Sequence, residues 1–249
     1  YNSGAGFPLI DLYDDSVHTD IVISNCVLHN GSTGIYIRYD SSKMSSPHQR
    51  ITISNCIVKD ISGSTGRAIQ VEHGYYINIV NNNIYNVDKG IELSGSRNLV
   101  EGNLITWVVY QGMVIGGWRN IISNNHLIDC GRSGDYDAIY LNAPYCVVTD
   151  NLIEKQSGSY AGRYGIYETT NADNNLIENN IILETKFGAI YKYGSNTVVR
   201  GNIGYHYTSQ FDFPTSAPSS PQTGDAYFDP DTNTLYIYNG TAWVSIALT

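Results

Sequence analysis

Short runs of alternating apolar and polar residues, rich in Ile and Val, fill most of the chain, and Asn, Gly and Ser punctuate them about every dozen residues. An Asn recurs eight times in one small apolar frame, at Asn25, Asn55, Asn82, Asn103, Asn125, Asn151, Asn180 and Asn202. Three residues before it stand Val22, Thr52, Ile79, Val100, Ile122, Val148, Ile177 and Val199. Two residues after it stand Val27, Ile57, Ile84, Ile105, Leu127, Ile153 and Ile182, with Gly204 in the last copy. Roughly ten residues later a Gly or Ala opens an apolar/any/apolar triplet, as in Gly34-Ile35-Tyr36-Ile37, Ala68-Ile69-Gln70-Val71, Gly90-Ile91-Glu92-Leu93, Gly112-Met113-Val114-Ile115 and Ala138-Ile139-Tyr140-Leu141.

Period-two alternation with β-branched residues and polar corners predicts strands rather than helices. The Asn-to-Asn intervals run from 21 to 30 residues, the range of solenoid repeats. One such repeat cannot bury a face alone. Stacked repeats can, with each strand pairing in parallel with its copy one coil away at about 4.8 Å. Parallel connections favour a right-handed sense. An Asn at each corner tolerates left-handed backbone, and amides stacked from coil to coil can form a ladder of hydrogen bonds. The predicted fold is all-β: a right-handed single-stranded parallel β-helix of about eight coils over residues 1–213.

This frame resembles the right-handed parallel β-helix proteins, the pectate-lyase-like solenoids that include polysaccharide lyases, polygalacturonases, uronan epimerases and phage tailspikes. The resemblance runs from residue 20 to about 205 and implies a fold more than an activity, because function sits in sites grafted on a shared scaffold. The pattern decays after Asn202. Thr215 to Pro221 reads as an extended linker (within 214–223), and residues 224–249 as a small strand-turn-strand-turn-strand module with corners at Pro230-Asp231 and Asn239-Gly240. A unit this small can hardly bury Tyr227, Phe228, Leu235, Tyr236, Ile237, Tyr238 and Trp243 by itself. Its Gly-Asp-x-Tyr-x-Asp, Thr-Asn-x-Leu-Tyr-Ile-Tyr and Gly-Thr-Ala-Trp motifs resemble a C-terminal tip of viral tail-fibre proteins and some microbial surface proteins. That likeness implies a homotrimer at a virion surface or outside the cell, with the tip as its oligomerisation element. At the other end, Gly6-Phe7-Pro8-Leu9-Ile10-Asp11-Leu12 reads as the second half of a coil, which implies a longer protein.

Composition narrows the partners. The 249 residues carry a net charge of −9 with only 15% charged residues, which gives a phosphate backbone nothing to meet and argues against nucleic acid. No apolar run has the length of a membrane span. Cys26 and Cys56 follow the anchor Asn in adjacent coils and are expected side by side, as a disulfide or as stacked thiols. Cys130 and Cys146 flank one coil as a second candidate bridge. Neither pair has metal-ligand spacing, Asp229-Asp231-Asn233 lacks the Gly and distal Glu of a calcium loop, and no motif calls for a cofactor.

Outward positions of the second signature form two columns: Tyr36, Gln70, Glu92, Val114, Tyr140, Tyr167 and Tyr191 in one, Arg38, Glu72, Ser94, Gly116, Asn142, Thr169 and Tyr193 in the other. Tyr36, Tyr140, Tyr167 and Tyr191 offer flat amphipathic rings suited to sugars, and Arg38 adds hydrogen bonds; Tyr is equally a good strand residue. Glu72 and Glu92 fall on neighbouring coils, where their carboxyls can approach to the roughly 5 to 9 Å used in glycoside hydrolysis. Asp135 and Asp137, in an insertion on the same side, form a second acidic candidate, and both pairs read equally as surface carboxylates. Insertions before the second strand, over 61–67, 131–137 and 156–164, gather on one face, as binding loops of solenoids do. The residues thus allow a glycan-binding viral fibre, a hydrolase or lyase, or a bare shaft. Lyase chemistry finds little cationic support beyond Arg38. Glu168 and Lys192 hold normally apolar inward places one coil apart, which predicts a buried ion pair, or else an early strand end that leaves both in water.

Overall fold

A computed structural model describes residues 8–13, 17–42, 46–63, 66–155, 162–204, 216–217, 220–229 and 231–247. The chain divides into two compact units, Tyr1–His206 and Tyr207–Thr249. Gly6-Phe7, part of the 156–164 insertion, most of the expected linker and Pro230 lie outside the described residues.

The first unit is a parallel β-solenoid with three sheets. Sheet 1 stacks the eight three-residue strands that precede the Asn corner, from Val22–Ser24 to Val198–Arg200. Sheet 2 stacks eight strands that follow it, from Val27–Gly31 to Ile203–Gly204. Sheet 3 carries the second signature from Pro8–Leu12 to Gly188–Tyr191, with Arg67–Tyr75 and Lys89–Ser96 its longest members. Its ninth strand, His48–Gln49, comes from the excursion over 39–50 and pairs with Gly74 and Tyr75. Within that excursion His48 is buried, its Nε2 donating to the Arg38 carbonyl while Nδ1 accepts from the His18 amide.

The corners follow one rule. Non-glycine residues take positive φ at steps of five, as at Asp20, Asn25 and Asn30, at Arg50, Asn55 and Asp60, and at Tyr76, Asn81 and Asn86. The residue after each corner points inward. In the later coils those residues are Asn82, Asn103, Asn125, Asn151 and Asn180, all at most 1% exposed. Each Oδ1 accepts the backbone amide of the corresponding residue one coil earlier, at 2.9 to 3.0 Å from Cys56 through Asn180.

This geometry corrects the expected alignment of the first two coils. The register sets Val27 and Ile57 opposite Asn83, so the places equivalent to Asn82 belong to Cys26 and Cys56. Asn25 and Asn55 are the exposed positive-φ corners themselves, equivalent to Asn81. A slip of one residue turns every side chain to the other face of a strand: Val22 is 68% and Val27 60% exposed, while Ile23, Ile53 and Val58 enter the core. All four cysteines occupy positions after a corner and are free. Cys130 ends a sheet 2 strand and Cys146 precedes a sheet 1 strand, so they sit at different corners of the coil. Burial pushes the Cys146 thiol up to about 11.

A second, shorter ladder runs at the corner before sheet 1. Asn98 Oδ1 accepts from the Ile77 amide, Asn120 Oδ1 from Asn98, Asn175 Oδ1 from Cys146, and Thr197 Oγ1 from Asn175. Glu168 caps it. This carboxylate is fully buried and accepts Asn175 Nδ2, the Thr197 hydroxyl and the Gly194 amide. The expected Glu168–Lys192 ion pair therefore does not form, since the last strand of sheet 3 stops at Tyr191 and Lys192 lies exposed. Neutral donors satisfy a buried carboxylate without desolvating a lysine.

The second unit carries an antiparallel sheet of Ala226–Asp229, Thr234–Tyr238 and Trp243–Ala247. Its two faces differ. Tyr227 stacks on Tyr236 at 4.7 Å with Trp243 edge-on, while Ile237, Val244 and Ile246 alternate to the other side and are 37 to 49% exposed.

Asn103→Ala strips the acceptor from the buried Asn82 amide and the donor from the Ile79 and Glu101 carbonyls. A loss of about 2 to 4 kcal/mol by denaturant unfolding is expected. Cys56→Asn extends the ladder by one step and should gain about 1 kcal/mol. Tyr145, 55% exposed with φ 59°, carries left-handed strain, and Tyr145→Asn should gain up to about 1 kcal/mol in the same assay.

Candidate functional site

Sheet 3 brings the two predicted columns onto one outer surface, in the register Asp11, Tyr36, Gln70, Glu92, Val114, Tyr140, Tyr167 and Tyr191. Two dissimilar halves result, polar toward the N-terminal coils and aromatic toward the C-terminal ones.

In the polar half Arg38 bonds Asp11 through Nε and Nη2 and lies 4.5 Å from the Tyr36 ring centroid. The Tyr36 hydroxyl donates to Glu72 Oε1, and the Tyr39 amide donates to Oε2 at 3.1 Å. Burial, and then the bond to Glu72, holds the Tyr36 phenol well above its ordinary range, so it stays a donor at any physiological pH. Glu92 is ion-paired with Arg67 and has Lys89 Nζ 3.7 Å away. Pro8, Ser32, Thr33, Tyr36, Arg38, Arg67 and Gln70 line an open pocket of about 230 Å³. Glu72 and Glu92 thus flank one polar surface with different partners, hydrogen-bond donors for one and cations for the other.

Arg67 and Lys89 are absent from the predicted set. They open their strands, ahead of the alternating triplet, so period-two counting passes over them. Their place removes one objection raised by the sequence, because cations other than Arg38 do stand on this surface.

In the aromatic half Tyr140, Tyr167 and Tyr191 form a ladder, with centroids 5.6 and 5.0 Å apart and planes within 9°. Tyr164 leans on Tyr167 and Tyr191, and Arg163 lies 4.1 Å from the Tyr167 centroid. The rings spend their faces on one another, so their edges and hydroxyls meet solvent. Asp137 is a support rather than a solvated acid. Only 1% of its side chain is exposed, and it binds Arg163 through both oxygens at 3.0 and 2.7 Å and accepts the Tyr164 amide. Asp135, by contrast, is exposed and pairs with Lys186. The insertion over 131–137 connects sheet 2 to sheet 3 and so borders this half. Among the described residues no three His, Cys, Asp or Glu stand close enough to hold a metal.

Residues 67–206 match the right handed beta helix region family, and the chain belongs to it. No curated protein matches the chain in sequence. Among solved structures, an alginate lyase from Paenibacillus sp. str. FPU-7 is 20% identical, over 78% of this chain and 76% of that one, with a TM-score of 0.57. The enzymatically active domain of tailspike protein 2 from bacteriophage CBA120 is 12% identical over 75% of this chain, also at 0.57, and the match spans 31% of that chain. At such identities the likeness is one of fold.

Burial raises the Asp137 carboxyl above its ordinary 3.8, against the pull of Arg163 and the Tyr164 amide. From pH 3.8 up to that raised value the native chain holds more protons than the unfolded one, so stability falls as pH rises through this window. Asp137→Asn should abolish that slope in melting temperatures taken across the acid range, whatever its effect on absolute stability.

Proposed function

We propose that the outer surface of sheet 3 binds a glycan, and that the protein is the glycan-reading part of a viral tail-fibre or tailspike-like assembly, on a virion surface or outside the cell. The observation that carries this reading is the presence of a polar pocket and a tyrosine ladder on the same outer surface of one rigid sheet. Sugar recognition asks for fixed hydrogen-bond partners beside amphipathic aromatic surface, and both are set on the strands of sheet 3 or directly beside their ends. Tyr36, Arg38, Arg67 and Gln70 supply hydrogen bonds. Tyr140, Tyr167 and Tyr191, with Asp135 at their border, supply amphipathic contact. A tailspike and a polysaccharide lyase share the fold, which favours the reading without deciding it.

Within this reading Glu72 and Glu92 are the candidates for cleavage. Glu92 stands beside Arg67 and Lys89, and Glu72 takes the Tyr36 hydroxyl and the Tyr39 amide; one would serve as acid and the other as base or nucleophile. Assembly is assigned to the C-terminal sheet. Both of its faces carry apolar side chains, and three strands hardly bury them alone; a trimer is the association proposed.

A second reading, a secreted lyase, is favoured by Arg67 and Lys89. A lyase needs a base to take a proton α to a uronate carboxyl and a cation to hold that carboxyl. The readings separate by product: hydrolysis leaves saturated ends, whereas elimination leaves an unsaturated ring absorbing near the ultraviolet edge.

The test is a polysaccharide array read first for binding and then for cleavage. Wild type should hold at least one glycan, and Tyr36→Phe, which removes the hydroxyl oxygen as an acceptor for the sugar and frees Glu72, should weaken it about tenfold. If cleavage occurs, Glu92→Gln and Glu72→Gln should each lower it at least a hundredfold. Undiminished turnover in both would remove them from the chemistry.

A further inference from the structure

The two halves of the surface do not touch. Between the coil of Glu92 and that of Tyr140 runs the strand Met113–Gly116, whose outward residues are Val114 and Gly116. Two coil steps separate Glu92 from Tyr140, roughly 10 Å, and the coil between them presents two methyl groups and a glycine. The result is a trench one coil wide with a carboxylate on one wall and a ring on the other.

Three observations set this trench apart. Tyr140 ends the ladder. One face meets Tyr167 in a near-parallel stack, and its opposite face looks over the Val114 coil, where the next place in the ladder holds no ring. Gly116 needs to be glycine for no local reason: its φ is not positive, and an added Cβ would first meet Ser94 Oγ at an ordinary 3.4 Å. Its neighbours Gly112 and Gly117 are constrained to glycine, the one because an added Cβ would lie 2.7 Å from Cys130 Sγ and the other by its φ of 77°. Gln111, at the head of the same coil, has its Oε1 buried with no hydrogen-bond partner among the described residues. An orphaned buried acceptor costs stability unless something else satisfies it.

From this geometry we infer that the Gln111–Gly116 coil is a subsite for one pyranose ring, which enters as the missing member of the tyrosine ladder. The ring's apolar face lies on Tyr140, its edge rests over Val114 and Gly116, and its hydroxyls donate to Glu92 and, once the half-buried Gln111 side chain turns outward, to its Oε1. Both groups that take its hydroxyls are acceptors, and the cations beside them, Arg67 and Lys89, are engaged by Glu92, so the subsite selects a neutral, hydroxyl-rich sugar over a uronate. This inference rests on the glycan-binding reading of sheet 3 and adds its point of entry and selectivity.

The test uses the full chain and a printed array of neutral hexose oligosaccharides and uronate oligosaccharides. Val114→Tyr fills the trench by continuing the ladder. Gly116→Leu fills it from the other column, as a second variant should one fail to fold. Ile121→Tyr, 44% exposed on sheet 1 of the same coil, is the matched control, and thermal melting checks all three. Wild type and control should hold neutral members, with either filled variant at least tenfold weaker. Undiminished binding by both filled variants, or binding of uronates alone, overturns the subsite and leaves a glycan surface in place. No binding by wild type to any member overturns both.

Discussion

A group of left-handed corners five residues apart in each coil, each followed at once by an inward side chain, is the constraint on which this structure depends. The inward residue at two of the three corners forms a ladder whose amide oxygens take backbone N–H groups from the coil before. Each rung removes a buried donor that water cannot reach, at a net gain of about 1 kcal/mol per bond. The ladder also fixes phase. A coil that slipped by one residue, such as that of Val100, Asn103 and Ile105, would turn these buried residues outward and lose its rung, so every coil must present the same face outward. That phase lets columns on sheet 3 carry a site. The strain is visible at Tyr76, Arg97, Trp107, Arg119 and Tyr145, which hold positive φ without the Asn or Gly that tolerates it. Packing and ladder together over-determine those corners.

The fold was legible because solenoid repeats print their period in the chain, and Asn with its flanking Ile and Val marks six coils correctly. It misled in the first two because Asn appears there as well, one place earlier, at the corner rather than in the ladder. Thr52 was the available signal: an apolar position three before the anchor should not have been Thr, and shifting by one replaces it with Ile53. The second ladder escaped notice because it mixes Ile, Asn, Cys and Thr, groups related by hydrogen-bonding role and not by shape.

Of the surface, the alternating columns were readable and the strand starts were not. Arg67 and Lys89 precede the periodic triplet, and only parallel pairing shows that they reach Glu92. Asp137 was readable as an acid but not as a buried one, because its burial depends on Arg163 from the next coil. The tyrosines were read as open platforms, whereas stacking turns their faces on each other and leaves one free end, at Tyr140. A repeat that places like beside like makes a ladder wherever aromatic residues recur in register, and the place where the column is interrupted is where a ligand ring fits.

Hydrogen exchange with and without the strongest array glycan tests the central claim most directly. Each coil contributes amides to all three sheets, so peptides from one coil report on separate faces. The account predicts slowed exchange in Arg67–Tyr75, Lys89–Ser96 and Met113–Gly116, with Asn78–Val80, Leu99–Glu101 and Ile121–Ser123 unchanged. Protection confined to sheet 1, to sheet 2 or to the C-terminal sheet would contradict it.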